Sequence, residues 1–296
     1  MTCNGPASLR FCAIRGIFLE QREVQQQRPQ FQPVLLAGFL VVLVLLSYWL
    51  FAQRRWWMPD AASVHGPAID RVFSIVLGIT GILFVLLQLS LAVLVLKFGR
   101  RGGRAEHWDR PRFEKWFAIA AGVIIFGVDV TVYSLGESQW LKTWSPPPDG
   151  AALVEVTGEQ FVWNFRYAGA DGAFGRTEPR LISSGNPLGI DSADPAAADD
   201  VLSTNQLHLA AGKPVRLRIR SKDVIHSFNL PNFRVKQDAV PGMAIELWFI
   251  PAKPGQYEIV CNQLCGLAHY RMKAFLTVEP QETFDQWLSQ MTQGGK

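Results

Sequence analysis

The sequence predicts an α+β membrane protein, with three membrane-spanning helices followed by an all-β sandwich outside the membrane. Two observations carry this. Before residue 140 the apolar residues gather into three long blocks almost free of charge. After residue 150 they come in short bursts separated by Gly, Pro and Asp, as strands and turns do.

The first block, Val34 to Ala52, is interrupted only by Ser47, Tyr48 and Trp49. Val72 to Leu96 is longer, with Gln88 as its most polar member, and Trp116 to Leu135 carries one acid, Asp129. Roughly 20 apolar residues span a bilayer, so each block is read as a transmembrane helix. The first is read as retained rather than as a signal peptide. A 33-residue tail precedes it, and its exit, Gln53-Arg54-Arg55-Trp56-Trp57, has no small-residue cleavage site. Leu9-Arg10-Phe11-Cys12 is a poor lipoprotein site, because no apolar run leads into it.

Orientation follows from the basic residues. The loop between the second and third blocks holds Lys97, Arg100, Arg101, Arg104, Arg110, Arg112 and Lys115, whereas the loop between the first and second holds only Arg54, Arg55 and Arg71. Excess Lys and Arg stay in the cytoplasm. The tail, 1–33, is then cytoplasmic, everything after residue 136 lies outside, and Trp140 and Trp144 anchor the outer interface. A net charge of +4 is accounted for by these flanking arginines. No aromatic–basic interleaving occurs in the soluble half, which argues against a nucleic-acid partner.

Ser145-Pro146-Pro147-Pro148-Asp149-Gly150 stops the third helix and makes a stiff spacer within a linker at 141–152. Strands are predicted at 153–157, 160–167, 207–209, 215–219, 244–250, 257–260 and 273–278, separated by turns such as Ala211-Gly212-Lys213-Pro214. Short strands with no helical pattern between them imply an antiparallel sandwich or barrel over 153–280. Residues 168–204, rich in Gly, Pro, Ala and Asp, read as an insertion on it. A short helix is expected at Phe284 to Met291, within a C-terminal segment at 281–296.

Of the four cysteines, Cys3 and Cys12 lie in the polar tail and read as unpaired thiols. The other two belong to Cys261-Asn-Gln-Leu-Cys265-Gly-Leu-Ala-His269-Tyr-Arg-Met272, where two thiols, an imidazole and a thioether fall within twelve residues. Asp223-Val-Ile-His226 supplies a second imidazole from a separate strand. Soft sulfur with imidazole selects copper or zinc, and a long axial Met points to copper. A Cys261–Cys265 disulfide leaves the spacing of His269 and Met272 without a reason, and a Cys2His2 zinc site has no use for Met272. With two coppers the ligand count closes: both thiolates bridge, each metal takes one histidine, and Met272 and a backbone carbonyl fill the weak axial places. An electron shared over two metals suits a relay.

The Cys-x3-Cys-x3-His-x2-Met loop and the upstream histidine resemble subunit II of the haem–copper cytochrome c oxidases, with its binuclear copper A site. Gly158-Glu-Gln-Phe-Val-Trp163-Asn-Phe-Arg-Tyr167 resembles the family's aromatic segment, and Lys236-Gln-Asp238-Ala-Val-Pro241-Gly242 its turn after the upstream histidine. The resemblance covers roughly residues 70 to 290, apart from the insertion. It implies a cupredoxin-like Greek-key sandwich on the periplasmic side of a bacterial inner membrane. It further implies the metal ligands His226, Cys261, Cys265, His269 and Met272 with the carbonyl of Gln263, and His269 facing the onward route. Electrons are implied to come from cytochrome c and to pass to the haem of subunit I, the helices lying beside subunits I and III.

Four departures stand out. In the family a glutamate at the place of Gln263 also binds an interface magnesium, and Gln263 lacks that carboxylate. The electron-uptake tryptophan is replaced by Phe161, while Trp163 keeps the second ring. A docking acid aligns with Arg166, although Asp223 retains another, so the donor is expected not to be strongly basic, such as a cytochrome held in a complex. The first helix is an addition to the family's usual pair. Glu114 sits one residue from a proton-channel glutamate, and Asp129, roughly 20 Å up its helix at about 1.5 Å per residue, is a candidate proton-related or packing acid. Two other readings compete: the copper subunit of a nitric oxide reductase, and a standalone copper electron carrier or delivery protein. No Cys-x2-Cys-His occurs, which excludes a fused c-type haem.

Overall fold

The computed structural model describes residues 31–53, 57–99 and 110–294. Most of the expected tail, with Cys3 and Cys12, lies outside the described residues, as do Arg54, Arg55, Arg100, Arg101 and Arg104. The chain divides into two compact units, one built on residues up to Trp57 with Ile75–Gly127, the other on Met58–Ser74 with Val128 onwards.

Among the described residues three helices are long and apolar enough to cross a membrane: α1 (Gln32–Ala52), α2 (Gly66–Gly99) and α3 (Pro111–Thr143). α2 and α3 run past the apolar blocks at both ends, because backbone hydrogen bonding does not stop where apolar side chains do. At 34 and 33 residues they are about 50 Å long, more than the roughly 30 Å hydrocarbon core. Pro111 opens α3, where a missing N–H costs nothing, and Pro146 to Pro148 follow its end. In the first unit α1 packs on α2 through Ala37, Leu40, Ala92 and Val95. The close approach needs small residues: a Cβ on Gly99 would lie 2.8 Å from Pro33. No residue of α3 is buried.

In the second unit ten strands form two five-stranded sheets. β1 (Ala152–Glu159), β2 (Val162–Tyr167), β3 (Val201–Thr204), β5 (Val215–Ser221) and β8 (Ile245–Phe249) make one, in the order β3-β2-β1-β5-β8. The other is β4-β10-β9-β6-β7, from β4 (Gln206–Ala210), β6 (His226–Leu230), β7 (Val235–Ala239), β9 (Gly255–Cys261) and β10 (Lys273–Glu279). The all-β sandwich is as expected, but it is not purely antiparallel. β1 lies parallel to β5 and β10 parallel to β4, because each pair is joined by a crossover rather than a hairpin.

Two strands depart from the sequence reading. β3 occupies the last residues of the expected insertion. β7 runs through the Lys236–Ala239 stretch, which reads as a turn because Lys236 and Asp238 are polar; both sit on the more open face of an edge strand. Between the sheets, Val154, Val156, Phe165, Leu217, Phe228, Ile259 and Leu276 form the core.

The insertion explains why β1 and β2 are buried on both faces. Their outward side chains, Glu155, Thr157, Asn164 and Arg166, are polar yet buried. The Arg166 guanidinium, 2% exposed, pairs with Asp200, donates to the Gly175 carbonyl at 2.6 Å and stacks over Phe174 at 5.0 Å. Asp200 and Asp194 in turn accept the backbone N–H groups of Gly175 (3.0 Å) and Arg176 (2.7 Å). Residues 58–74 dock on the sandwich as well. The Ser63 hydroxyl donates to the Phe233 carbonyl at 2.8 Å, and Arg234 grips Asp70 through two bonds of 2.7 and 2.8 Å. The C-terminal α4 (Gln281–Gly294) covers Tyr167 with Phe284 and Trp287.

Candidate metal centre

His226, the first residue of β6, is fully buried. Its ring lies so close over β1 that a Cβ on Gly158 would approach it to 2.9 Å, so only glycine fits there. The Asp223 carboxylate lies 2.8 Å from Nε2, which holds the proton on that nitrogen and leaves Nδ1 turned to the Cys261 sulfur at 4.0 Å.

Cys261 ends β9, and the chain then loops back to β10 through Cys265 and a helical turn at His269–Arg271. That turn brings the His269 ring and the Met272 thioether beside the Cys265 thiol. The two sulfurs are free thiols 3.8 Å apart. Cys265 Sγ is 3.5 Å from His269 Nδ1 and 3.7 Å from Met272 Sδ, and the Gln263 carbonyl oxygen is 3.2 Å from Cys261 Sγ. Ligand atoms of His226, Cys261 and Cys265 all lie within 4.8 Å of one another.

Electrostatics favour a first thiolate at Cys261. Burial alone would raise its pKa, but the His226 ring and backbone hydrogen bonds outweigh that and lower it. Cys265 is raised, by burial and then by the charge on Cys261. His226 is raised despite its burial, because it bonds Cys261 and Asp223. A cation that replaces these protons takes up both thiolates together. Two thiols and an imidazole in one cluster, with a second imidazole, a thioether and a carbonyl oxygen each beside one of the sulfurs, are a soft donor set of the kind that suits copper.

The other sequence-predicted residues fall in different places. Phe161 is half-buried at the tip of the β1–β2 hairpin, against the core. Trp163 is fully buried, packed edge-on against Phe228 at 5.5 Å and His226 at 5.9 Å. Asp223 is committed to His226 and to the Gln160 N–H rather than standing free for docking. Its pKa is lowered: burial pushes it up, and those hydrogen bonds with that of the Val224 N–H more than offset this. Arg166, aligned with a docking acid of the family, lies buried under the insertion and is paired with Asp200. Glu114 and Asp129 are exposed on α3, outside the metal cluster. Sequence reasoning missed Gln160, Gly158 and Gly266, whose only signal was glycine beside the aromatic segment and beside Cys265.

A β-sandwich with a buried thiol–imidazole cluster, on a chain with membrane-capable helices, defines the class as a cupredoxin-like domain joined to a membrane anchor. The profile of the cytochrome c oxidase subunit II periplasmic domain matches residues 152–278. The alternative cytochrome c oxidase subunit 2 of Bradyrhizobium diazoefficiens is 37% identical over 260 residues, 87% of this chain and 91% of that protein. Cytochrome c oxidase subunit 2 of Thermostichus vulcanus is 29% identical over 280 residues, covering 84% of this chain and 83% of its own. Among solved structures, the periplasmic domain of subunit II of cytochrome oxidase from Bradyrhizobium japonicum is similar, with 27% identity, a TM-score of 0.36 and coverage of 50% of this chain and 99% of that one. The chain therefore belongs to the cytochrome c oxidase subunit II family, as a subunit of a haem–copper oxidase complex.

Proposed function

We propose that this subunit takes electrons from a cytochrome at a binuclear copper A centre and passes them to the haem of subunit I, where oxygen is reduced to water and protons are translocated. The observation that supports this best is the buried cluster of His226, Cys261 and Cys265, with His269 and Met272 beside the Cys265 sulfur and the Gln263 carbonyl beside that of Cys261. Bound there, a copper pair would supply one-electron transfer with the charge spread over both metals.

The residues prepare that site. Asp223 fixes the His226 tautomer, the Gly158 gap seats its ring, and the rigid ends of β6, β9 and β10 hold the ligands against rearrangement. His269 faces the onward route, and Phe161 offers the aromatic edge for uptake. With Gln263 in the loop, an interface magnesium lacks its usual carboxylate. The sandwich lies in the periplasm of a bacterial inner membrane, the tail in the cytoplasm, and the helices beside subunits I and III, with α1 retained. Glu114 and Asp129 on α3 meet the oxidase interior, as a proton-related pair or as packing acids neutralised by subunit I.

The complex copurified with its membrane partners tests this. Turnover with oxygen and cytochrome c, or a membrane-held cytochrome, is expected. Turnover with nitric oxide alone identifies a nitric oxide reductase, and isolation without subunit I identifies a standalone carrier.

A further inference from the structure

Gln160 sits at the tip of the β1–β2 hairpin, next to Phe161 and 105 positions before Cys265. Its side-chain Nε2 donates to the Cys265 carbonyl at 2.5 Å, and its backbone N–H donates to Asp223 Oδ2 at 2.7 Å. The other oxygen of that carboxylate holds the His226 ring at 2.8 Å. One residue thus ties both sides of the metal cluster to a third loop.

The Cys265 loop has few other anchors. Leu264 and Leu267 are 78% and 96% exposed, so their side chains hold it to nothing. Backbone bonds from Asn262 to the Ser227 carbonyl (3.0 Å) and from His269 to the Gly266 carbonyl (3.2 Å) bracket the stretch but leave the Cys265 carbonyl to Gln160. Gly266 is what lets the tip in. At φ +137° it adopts a conformation that disfavours other residues, and a Cβ there would lie 2.6 Å from Gln160 Nε2 and 3.2 Å from the Phe161 ring.

We propose that Gln160 is a positioning residue, a clamp whose side chain seats the Phe161 ring on the Cys265–Gly266 peptide, while its backbone N–H anchors the hairpin tip to the Asp223 carboxylate beside His226. The clamp rests on the copper reading of the site. It acts by geometry: without its donor the hairpin tip and the loop carbonyl are free to separate, and the aromatic edge leaves the ligand it serves.

The purified oxidase carrying Gln160→Met, which keeps the length and removes the donor, tests this against the wild type. Three quantities are read: copper per chain, the paramagnetic hyperfine pattern, and the rate of electron uptake from a cytochrome. The expected result is unchanged copper, an altered hyperfine pattern, and uptake slowed roughly fivefold, the factor that a lost hydrogen bond of ordinary strength gives. Gly266→Ala, which pushes both Gln160 and Phe161 aside, is expected to do the same, and carries the test alone if Gln160→Met does not fold. A variant with wild-type pattern and uptake overturns the clamp and leaves the copper reading standing. Loss of copper from Gln160→Met overturns it too, since the residue would then hold the site together rather than orient it. A wild type without a two-copper signal overturns both.

Discussion

At Met272 the division of labour within the site is easiest to test. The side chain is buried immediately before β10 with its sulfur 3.7 Å from Cys265 Sγ, where it would offer a copper a thioether. Met272→Leu nearly conserves volume, so the fold should lose less than about 1.5 kcal/mol. The variant is expected to keep its copper and to shift the reduction potential, measured by redox titration; an empty site would show that the thioether is essential for binding. The sulfur cluster was legible in the sequence because its members fall within twelve residues, on one loop whose turns are local. Gln160 was not, because its partner is 105 positions away and a glutamine in a strand hairpin looks like any other. Asp223 was legible as a charge but not as a partner of His226, since the direction of a carboxylate depends on a loop that the sequence does not draw.

At the scale of elements, the insertion is a lid on a sheet rather than a loose loop. Arg166 and Asp200 have side chains 2% and 1% exposed, and each buries a charge that only the other neutralises. Removing one partner of such a pair costs about 3–5 kcal/mol. Arg166→Met should therefore lower the thermal unfolding midpoint of the sandwich markedly. Adding Asp200→Asn, which removes the stranded charge and keeps an acceptor for the Gly175 N–H, should recover most of the loss; equal midpoints for wild type and Arg166→Met would contradict the pairing. None of this was visible in the sequence. Alternation along Val162–Tyr167 shows which side chains point away from the core, but not that residues 168–200 return to cover them. The same gap hid β3 inside a Gly- and Asp-rich stretch, and the parallel pairings, which depend on strands far apart in the chain. The existence of the three apolar helices, by contrast, was legible, because length and apolarity alone decide it, but α2 and α3 run past the apolar blocks at both ends.

Across the whole molecule, the surfaces left open point to what must cover them. α3 has no buried residue and carries Asp129, which suits an interior of protein more than lipid. Around the metal loops, Val224, Ile225, Met243, Leu264, Leu267 and Tyr270 are exposed apolar side chains, while Lys222 is paired with Glu159 and Asp223 with His226. With those carboxylates paired and Arg271 exposed on the same loop, such a rim offers little negative charge to steer a basic partner. Oxidation of the donor should vary less than threefold, roughly, between low and physiological salt, where strongly steered association falls steeply. A steep fall with a basic cytochrome c would contradict this face.

The central claim is that two coppers share one electron between the thiols of Cys261 and Cys265. Paramagnetic resonance of the copurified complex, with the copper content measured on the same sample, tests it most directly. The account predicts two coppers per chain at this site and the hyperfine pattern of one electron spread equally over two copper nuclei. A pattern from a single copper nucleus, or a colourless domain loaded with zinc, would contradict it.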